Sequence, residues 1–189
     1  MVTITPSKKN SRTMRIAAID FETANYNPLS ACALGLAIFE DHELVESPYW
    51  LIKPPKGHDW FIEEWTLNIH GISWFDVCNK PELGEIAQEV VTHLAIADLV
   101  VAHNAPFDLR VLHSLLEHFQ VLAPSFQHQC TLELSRQTWP DLPNHQLSTL
   151  AAYIGTELNH HHAQSDAIAA GKVMMEFFKS TNHSRALAL

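Results

Sequence analysis

The first third of the chain contains three apolar runs separated by short polar segments. The first run, MRIAAIDFET at residues 14–23, ends in acidic residues and is typical of a buried strand. Two further strand-like runs follow, ACALGLAIF and ELVESPYWLI, with the polar turn EDH between them. The pattern predicts three antiparallel strands at the start of the fold.

The remainder of the chain mostly shows the apolar spacing of helices. After a connection rich in Pro, Gly and Trp, the pattern predicts a helix from Pro81 to Ala97 and then a strand, DLVVAHN. Later helices are predicted to begin at Pro106, to run from Gln146 to Ile154 and stop at Gly155, and to cover residues 163–178. This order predicts an α/β fold, with a mixed sheet of three antiparallel strands and later parallel additions, flanked by helices.

Two of the predicted helices direct an aspartate toward apolar neighbours. A turn of about 100° per residue places Asp166 in an apolar stripe of the last helix. The other members of that stripe are Ala163, Ala169, Ala170, Val173, Met174 and Phe177. Asp108 shares a similar stripe of the helix that begins at Pro106. Its companions there are Val111, Leu112, Leu115, Leu116 and Phe119. Both carboxylates are therefore predicted to point inward.

Two more carboxylates end the first predicted strand. Asp20 and Glu22 are two residues apart and project from the same face of that strand. If all four carboxylates meet at one edge of the sheet, their repulsion costs several kcal/mol or raises their pKa values, unless cations bind. Oxygen ligands suit Mg²⁺ or Mn²⁺, and two such ions about 3.5 to 4 Å apart are a common arrangement for displacement at phosphorus. The sequence therefore predicts a site for two divalent metal ions.

A histidine lies close enough in sequence to serve this site as a base. His161 precedes Asp166 by five residues, just ahead of the last helix. Its unperturbed pKa of about 6.5 suits proton transfer near neutral pH. The tract of residues 160–162 could also be an incidental metal-binding segment or a solvated loop, and the spacing to Asp166 favours the catalytic interpretation. Together these residues predict a two-metal phosphodiester hydrolase.

Composition and charge narrow the setting of this chemistry. The length of 189 residues suits one domain, and no apolar run approaches the roughly 18 residues of a membrane span. Three scattered cysteines and the absence of a secretory signal favour a cytoplasmic protein without a membrane partner. Four of the twelve basic residues lie within the first 15 positions, whereas all 21 acidic residues follow them. The chain after residue 15 is therefore strongly acidic. This charge disfavours binding along an extended duplex but allows binding of a short nucleic-acid end held by metal ions.

The candidate residues fall in segments that resemble a known family. DFET, HNAPFD and HHAQSD resemble the three exonuclease motifs of the DEDDh group, and the match looks closest to the DNA polymerase III epsilon-subunit-like 3′–5′ exonucleases. SACALG, IHGIS and HQLSTLAAYIG strengthen the resemblance, which covers residues 15–179. It implies a ribonuclease H-like fold, two Mg²⁺ or Mn²⁺ ions, and release of nucleoside 5′-monophosphates from a 3′ end.

The resemblance also implies a role for each matching residue. Asp20, Glu22 and Asp166 would bind the first metal ion, and Asp20 would bridge to the second. Asp108 would act on a metal directly or through water, and His161 would be the general base. Substrate contacts are implied for Phe21, Thr23, His70, His103 and Asn104. The domain limits expected from the match are a flexible basic tail at 1–14, an exonuclease domain at 15–180 and a C-terminal tail at 181–189.

The sequence leaves three functions open. The first is an exonuclease that acts on a single-stranded DNA 3′ end, which we favour. The second is an exoribonuclease that trims RNA or short oligoribonucleotides, since contacts to the 2′-hydroxyl decide between DNA and RNA. The third is an idle module that binds nucleic-acid ends or a polymerase. The sequence departs from many relatives at Cys130, where they carry an acidic residue. It also lacks a segment that would clearly dock a polymerase, so a stand-alone enzyme is expected, with a polymerase or repair partner as the alternative.

Overall fold

The computed structural model describes residues 13–186, so most of the predicted basic tail lies outside the described residues. Six strands form one sheet. They are β1 Arg15–Thr23, β2 Ala31–Glu40, β3 Glu43–Glu46, β4 Tyr49–Leu51, β5 Leu99–Ala102 and β6 His128–Cys130. Seven helices pack around it in the described part of the chain. They are α1 Glu63–Asn68, α2 Trp74–Val77, α3 Leu83–Ala95, α4 Ala105–His118, α5 Thr131–Thr138, α6 Leu147–Ile154 and α7 Ala163–Ala186.

The sheet is mixed, as predicted. Its strand order is β3-β2-β1-β5-β6, and β4 also pairs with β2. β1 pairs antiparallel with β2 and parallel with β5, which in turn pairs parallel with β6. The predicted fold class, an α/β fold with antiparallel strands first and parallel strands added later, is therefore confirmed.

Several element boundaries differ from the prediction. The third predicted strand is two short strands, β3 and β4, because Pro48 between them has no N–H to donate to a ladder. The connection before α3 contains the short helices α1 and α2, and the prediction did not include β6. α7 continues to Ala186, and so extends into residues 181–189, which were predicted as a tail. Within the described residues, no helix has the length and apolar character needed to cross a membrane.

The two faces of β1 pack against different helices. Ala17, Ile19 and Phe21 belong to the large core cluster that includes buried residues of α3 and α4. Ile16 and Ala18 belong to a second cluster with buried residues of α7. Because side chains alternate along a strand, Asp20 and Glu22 continue the face that α7 covers. The strand therefore directs its two carboxylates toward the helix that carries Asp166.

Backbone contact fixes where α7 begins on the sheet. Gly35 of β2 pairs with Asp20 of β1 in the antiparallel register. A Cβ atom at Gly35 would overlap backbone atoms of Ala163 and Gln164, the first residues of α7. The helix can approach β2 this closely only because residue 35 has no side chain. This contact holds the start of α7, and with it Asp166, over the centre of the sheet.

Candidate active site

Three of the four predicted carboxylates meet where the C-terminal half of β1 faces the first turn of α7. Asp20, Glu22 and Asp166 each offer a carboxylate oxygen, and these oxygens lie within 4.8 Å of one another. Glu22 is 9% exposed and Asp166 is 4% exposed. The cluster is thus a largely buried acidic site built from one strand and one helix.

The fourth carboxylate is more deeply buried than the other three. Asp108 is in the first turn of α4 and is 1% exposed. Its Oδ1 accepts a hydrogen bond of 2.9 Å from the backbone N–H of Phe21, the residue between Asp20 and Glu22. Asp108 therefore holds the segment of β1 that carries the other two carboxylates, and it lies outside the group that shares the 4.8 Å spacing.

The loop before α7 brings two histidines to Asp166. The backbone N–H of His161 donates to Asp166 Oδ2 at 3.1 Å, and His160 Nδ1 lies 3.1 Å from the same oxygen. The rings of His160 and His161 are stacked, with centroids 3.9 Å apart and an interplanar angle of 18°. His161 has a φ of 64°, a left-handed conformation that is uncommon outside glycine. The ring of His162 instead stacks on Tyr49.

Burial and mutual repulsion dominate the electrostatics of the carboxylates. Burial raises the pKa of Asp20 well above its usual value, and the charges of Asp108, Glu22 and Asp166 raise it further. Burial raises the pKa of Glu22 to about 8 and that of Asp108 to about 8, the latter opposed by the hydrogen bond from Phe21. The pKa of Asp166 is also raised by burial, although His160 opposes this change. At neutral pH the site therefore favours bound protons or a bound cation.

The pKa values of two histidines near this cluster shift in the opposite direction. Burial, followed by the neighbouring His160, lowers the pKa of His161 below its usual value. Burial lowers the pKa of His103 to about 4. Both imidazoles are therefore neutral at pH 7 and can accept a proton.

The residues present fit the divalent metal ions that the sequence predicts. Asp166 Oδ1 is buried without a hydrogen-bond partner, although a buried carboxylate oxygen normally has one. Three carboxylates with oxygens within 4.8 Å match the all-oxygen ligand sets that Mg²⁺ and Mn²⁺ prefer. A divalent cation would satisfy the unpartnered oxygen and relieve the repulsion that raises the pKa values.

A cavity of about 480 Å³ opens beside the carboxylates. Its lining residues are Asp20, Phe21, Glu22, His103, Phe107, Gln146, Leu147, Ser148, His160, His161 and Asp166. One wall is thus the acidic cluster with its histidines, and the facing wall comes from α4 and from the start of α6.

Of the five residues predicted to contact substrate, two line the cavity and three do not. Phe21 and His103 line the cavity, and His103 Nδ1 lies 3.1 Å from the hydroxyl of Thr131. Thr23 is buried, Asn104 is exposed in a left-handed conformation just before α4, and neither is among the described lining residues. His70, also outside that lining, accepts a hydrogen bond from the backbone N–H of Ile72.

Sequence reasoning missed part of the cavity wall. His160, Phe107, Gln146, Leu147 and Ser148 all line the cavity, yet none was predicted as a site residue. The segment HQLSTLAAYIG, which begins at residue 145, was part of the family resemblance, and that was the available signal for the three residues at the start of α6. His160 shares a tract with two other histidines, and only the loop conformation distinguishes them.

A mixed sheet that holds buried carboxylates beside a neutral histidine, with a cavity at the same edge, defines a nuclease of the ribonuclease H-like class. The family model of the RNase T exonucleases, described as Exonuclease, matches residues 17–174. The chain therefore belongs to the exonuclease family, and the predicted DEDDh-type 3′–5′ exonuclease is confirmed. Membership in the epsilon-subunit-like branch stays a prediction.

Solved structures of exonucleases share this fold. Exonuclease X in complex with 5′ overhanging duplex DNA is similar with a TM-score of 0.66 and 22% identity, over 89% of this chain and 93% of its own. Product-bound exonuclease I has a TM-score of 0.74 and 16% identity, over 92% of this chain and 45% of its own. The zinc-bound E. coli exonuclease I complex with single-stranded DNA has a TM-score of 0.75 and 17% identity, over 94% of this chain and 42% of its own. This chain therefore spans less than half of exonuclease I. A comparison with curated proteins found no match.

Proposed function

We propose that this 3′–5′ exonuclease removes nucleotides from the 3′ end of single-stranded DNA, releases nucleoside 5′-monophosphates, and uses two divalent ions, Mg²⁺ or Mn²⁺, with His161 as general base. The observation that carries the proposal is the buried cluster of Asp20, Glu22 and Asp166, whose carboxylate oxygens lie within 4.8 Å of one another. Such a cluster is unfavourable without cations, and a cavity opens directly beside it.

The carboxylates have distinct parts in this proposal. Asp20, Glu22 and Asp166 would hold the metal ions, and Asp108 would act through water and through its hydrogen bond to the Phe21 backbone. When bound, divalent ions lower the pKa of the attacking water and neutralise charge at the phosphate. Because Asp108 is 1% exposed and accepts a hydrogen bond from the backbone N–H of Phe21, its main effect would be to fix the direction of Asp20 and Glu22.

His161 has the properties of a base for the attacking water. It lines the cavity, and its own backbone N–H is anchored on Asp166 at 3.1 Å. Burial lowers the pKa of His161, so its imidazole is unprotonated at neutral pH and can take a proton.

The cavity suits one terminal nucleotide. Its volume of about 480 Å³ lies within the range of roughly 300 to 1,000 Å³ that is typical of small-ligand pockets. Phe21 and Phe107 supply apolar surface for a base or sugar, and His103 supplies a neutral polar contact. The preference for DNA is supported by the solved neighbours, since exonuclease X was solved with overhanging duplex DNA and exonuclease I with dA16 and dT13 oligonucleotides.

The test is a time course on 5′-labelled single-stranded DNA and matched RNA with Mg²⁺ or Mn²⁺. We expect a ladder that shortens from the 3′ end of the DNA and disappears with EDTA or with Asp166→Asn. Asp141→Asn, which changes an exposed aspartate outside the cavity, is the matched control and should degrade DNA normally. Faster degradation of RNA would replace the DNA assignment with the exoribonuclease alternative. Full activity of Asp166→Asn would refute the assignment of the site.

A further inference from the structure

Asp166 belongs to a second cluster of potential metal ligands, which adds His160, a residue with no part in the proposed mechanism, to His161 and Asp166. His160, His161 and Asp166 each offer a ligand atom, and these three atoms lie within 4.8 Å of one another. This cluster differs from the carboxylate cluster in its chemistry, because two of its three ligands are imidazole nitrogens. The two clusters share only Asp166.

The ligand set favours a different class of metal ion from the carboxylate set. Two imidazoles and one carboxylate, with room for a water, form the kind of three-ligand site that binds Zn²⁺ at about 2.0 to 2.2 Å from each atom. Imidazole ligands suit Zn²⁺ and similar transition metals, whereas Mg²⁺ prefers oxygen ligands. A site of this composition therefore discriminates against Mg²⁺.

A buried group without a partner distinguishes this cluster from an incidental surface tract. Asp166 is 4% exposed, and its Oδ1 has no hydrogen-bond partner. Its Oδ2 is held by the His161 backbone N–H and lies 3.1 Å from His160 Nδ1, so both histidines are tied to the same carboxylate. His161 has a left-handed φ of 64° within this arrangement, and a strained residue of this kind is a frequent mark of a functional site.

The histidine rings need one adjustment to bind a common ion. They are stacked at an interplanar angle of 18°, so their in-plane lone pairs run nearly parallel and do not converge. The side chain of His160 is 42% exposed, which leaves it free to rotate about its side-chain bonds until a nitrogen faces the ion. Binding would therefore break the ring stack and the contact of His160 with Asp166.

We propose that His160, His161 and Asp166 form a Zn²⁺-type site whose occupancy switches the exonuclease off. An ion held there takes the imidazole of His161 and one carboxylate ligand away from the reaction. The inhibitory half of this inference rests on the proposed function, whereas the binding half depends only on the three side chains. Because Asp166 is shared, the transition metal and the catalytic metals compete for it.

The binding test uses the full chain and zinc alone, measured by calorimetry or by competition with a chromogenic chelator. We expect His160→Ala to weaken Zn²⁺ binding at least about tenfold, because losing a ligand costs more than losing a supporting contact. His162→Ala is the matched control, since that ring stacks on Tyr49 outside the cluster, and it should bind Zn²⁺ as the wild type does. Asp20→Asn should also keep Zn²⁺ binding, because Asp20 belongs only to the carboxylate cluster.

A spectroscopic measurement keeps the proposal testable if His160→Ala fails to fold. Paramagnetic resonance of Cu²⁺ bound to the wild-type protein should show coupling to two imidazole nitrogens. Coupling to fewer nitrogens, or Zn²⁺ binding that Asp20→Asn abolishes and His160→Ala leaves intact, would overturn the site.

The inhibition test measures Mg²⁺-dependent activity against Zn²⁺ concentration, with each variant compared with its own zinc-free rate. We expect the half-inhibitory Zn²⁺ concentration to rise at least about tenfold in His160→Ala and to stay unchanged in His162→Ala. Unchanged sensitivity in His160→Ala would overturn the switch. A protein that binds Zn²⁺ through His160 but degrades no nucleic acid would instead contradict the proposed function, so the two failures are distinguishable.

Discussion

Chelating divalent metal ions should make the folded protein less stable as the pH rises from 6.5 to 8. Glu22 is 9% exposed, and burial raises its pKa from 4.5 to about 8. The folded state therefore keeps a proton on Glu22 over this range, whereas the unfolded chain has already lost it. Stability that comes from a raised carboxyl pKa is complete below about pH 4.5 and is lost as the pH rises toward 8.

The magnitude follows from the same shift. One pKa unit corresponds to about 1.4 kcal/mol, so Glu22 alone should remove about 1.5 kcal/mol between pH 6.5 and 8. Asp108, whose pKa is also raised to about 8, should remove a comparable amount. Because a domain of this kind is stable by only about 5 to 15 kcal/mol, the loss is measurable. Measurements stop at pH 6.5 so that the titration of His103 does not contribute. Because the pKa of His103 is about 4 in the folded state, the protein loses stability as the pH falls from 6.5 toward 4.

The assay is urea unfolding followed by tryptophan fluorescence, at several pH values, with EDTA or with saturating Mg²⁺. In EDTA the free energy of unfolding should fall with pH, and Mg²⁺ should restore it most at pH 8, since ion binding to the folded state alone is stabilising. Glu22→Gln should reduce the fall in EDTA, leaving the part that comes from Asp108, and should stabilise the metal-free protein at pH 8. Glu89→Gln, an exposed change on α3, is the matched control and should keep the wild-type slope.

Two results would refute this reasoning. Metal-free protein that is as stable at pH 8 as at pH 6.5 would mean that the carboxylates are ionised at little cost. A slope that persists unchanged in Glu22→Gln would place the linked proton elsewhere in the molecule.

Three further predictions concern the elements that hold the site. Gly35→Ala should lower the free energy of unfolding by about 1 to 3 kcal/mol and the specific activity at least about tenfold, because its Cβ overlaps the backbone at the start of α7. Gly171→Ala should destabilise the fold by a similar amount, because the added Cβ would overlap the buried ring of Phe39, but it should keep more activity. Urea unfolding and initial rates measure both variants. His161→Ala and His161→Gly should each lose at least about 100-fold in rate, with the glycine variant about 0.5 to 1 kcal/mol more stable because φ is 64°. Equal stability of those two variants would argue against strain at this residue. Asp108→Asn keeps an acceptor for the backbone N–H of β1 but removes the charge, so in EDTA at pH 8 it should raise the unfolding midpoint while lowering activity at least tenfold.

The sequence predicted the elements whose apolar pattern extends over many residues. β1, β2, α3, α4 and α7 were all predicted near their observed positions, because each has at least nine residues over which a period of two or 3.6 can be recognised. β6, with three residues, was too short for a pattern, and the three residues of β4 were predicted only as the end of one longer strand. Their pairing comes from the sheet edge beside them, and this is information that a local pattern lacks.

The candidate site was predictable to the extent that periodicity determines direction. The inward direction of Asp108 and Asp166 follows from helical spacing, and the shared face of Asp20 and Glu22 follows from strand alternation. Neither rule shows which of three consecutive histidines would reach Asp166 with its ring. That depends on a single left-handed residue, His161, and no local preference of the sequence requires it.

The distance between the carboxylates of β1 and the carboxylate of Asp166 on α7 depends on backbone contact more than on side-chain packing. Asp20 lies opposite Gly35 in the sheet, and the first backbone atoms of α7 rest against Gly35, so the start of the helix is set by the thickness of two main chains. Side chains can repack to absorb a small displacement, but backbone atoms in direct contact cannot. A displacement of about 1 Å at a catalytic site can cost about 100-fold in rate. A residue with no chemistry of its own, Gly35, should therefore limit catalysis through the position of Asp166, beside the carboxylates that the sequence made conspicuous.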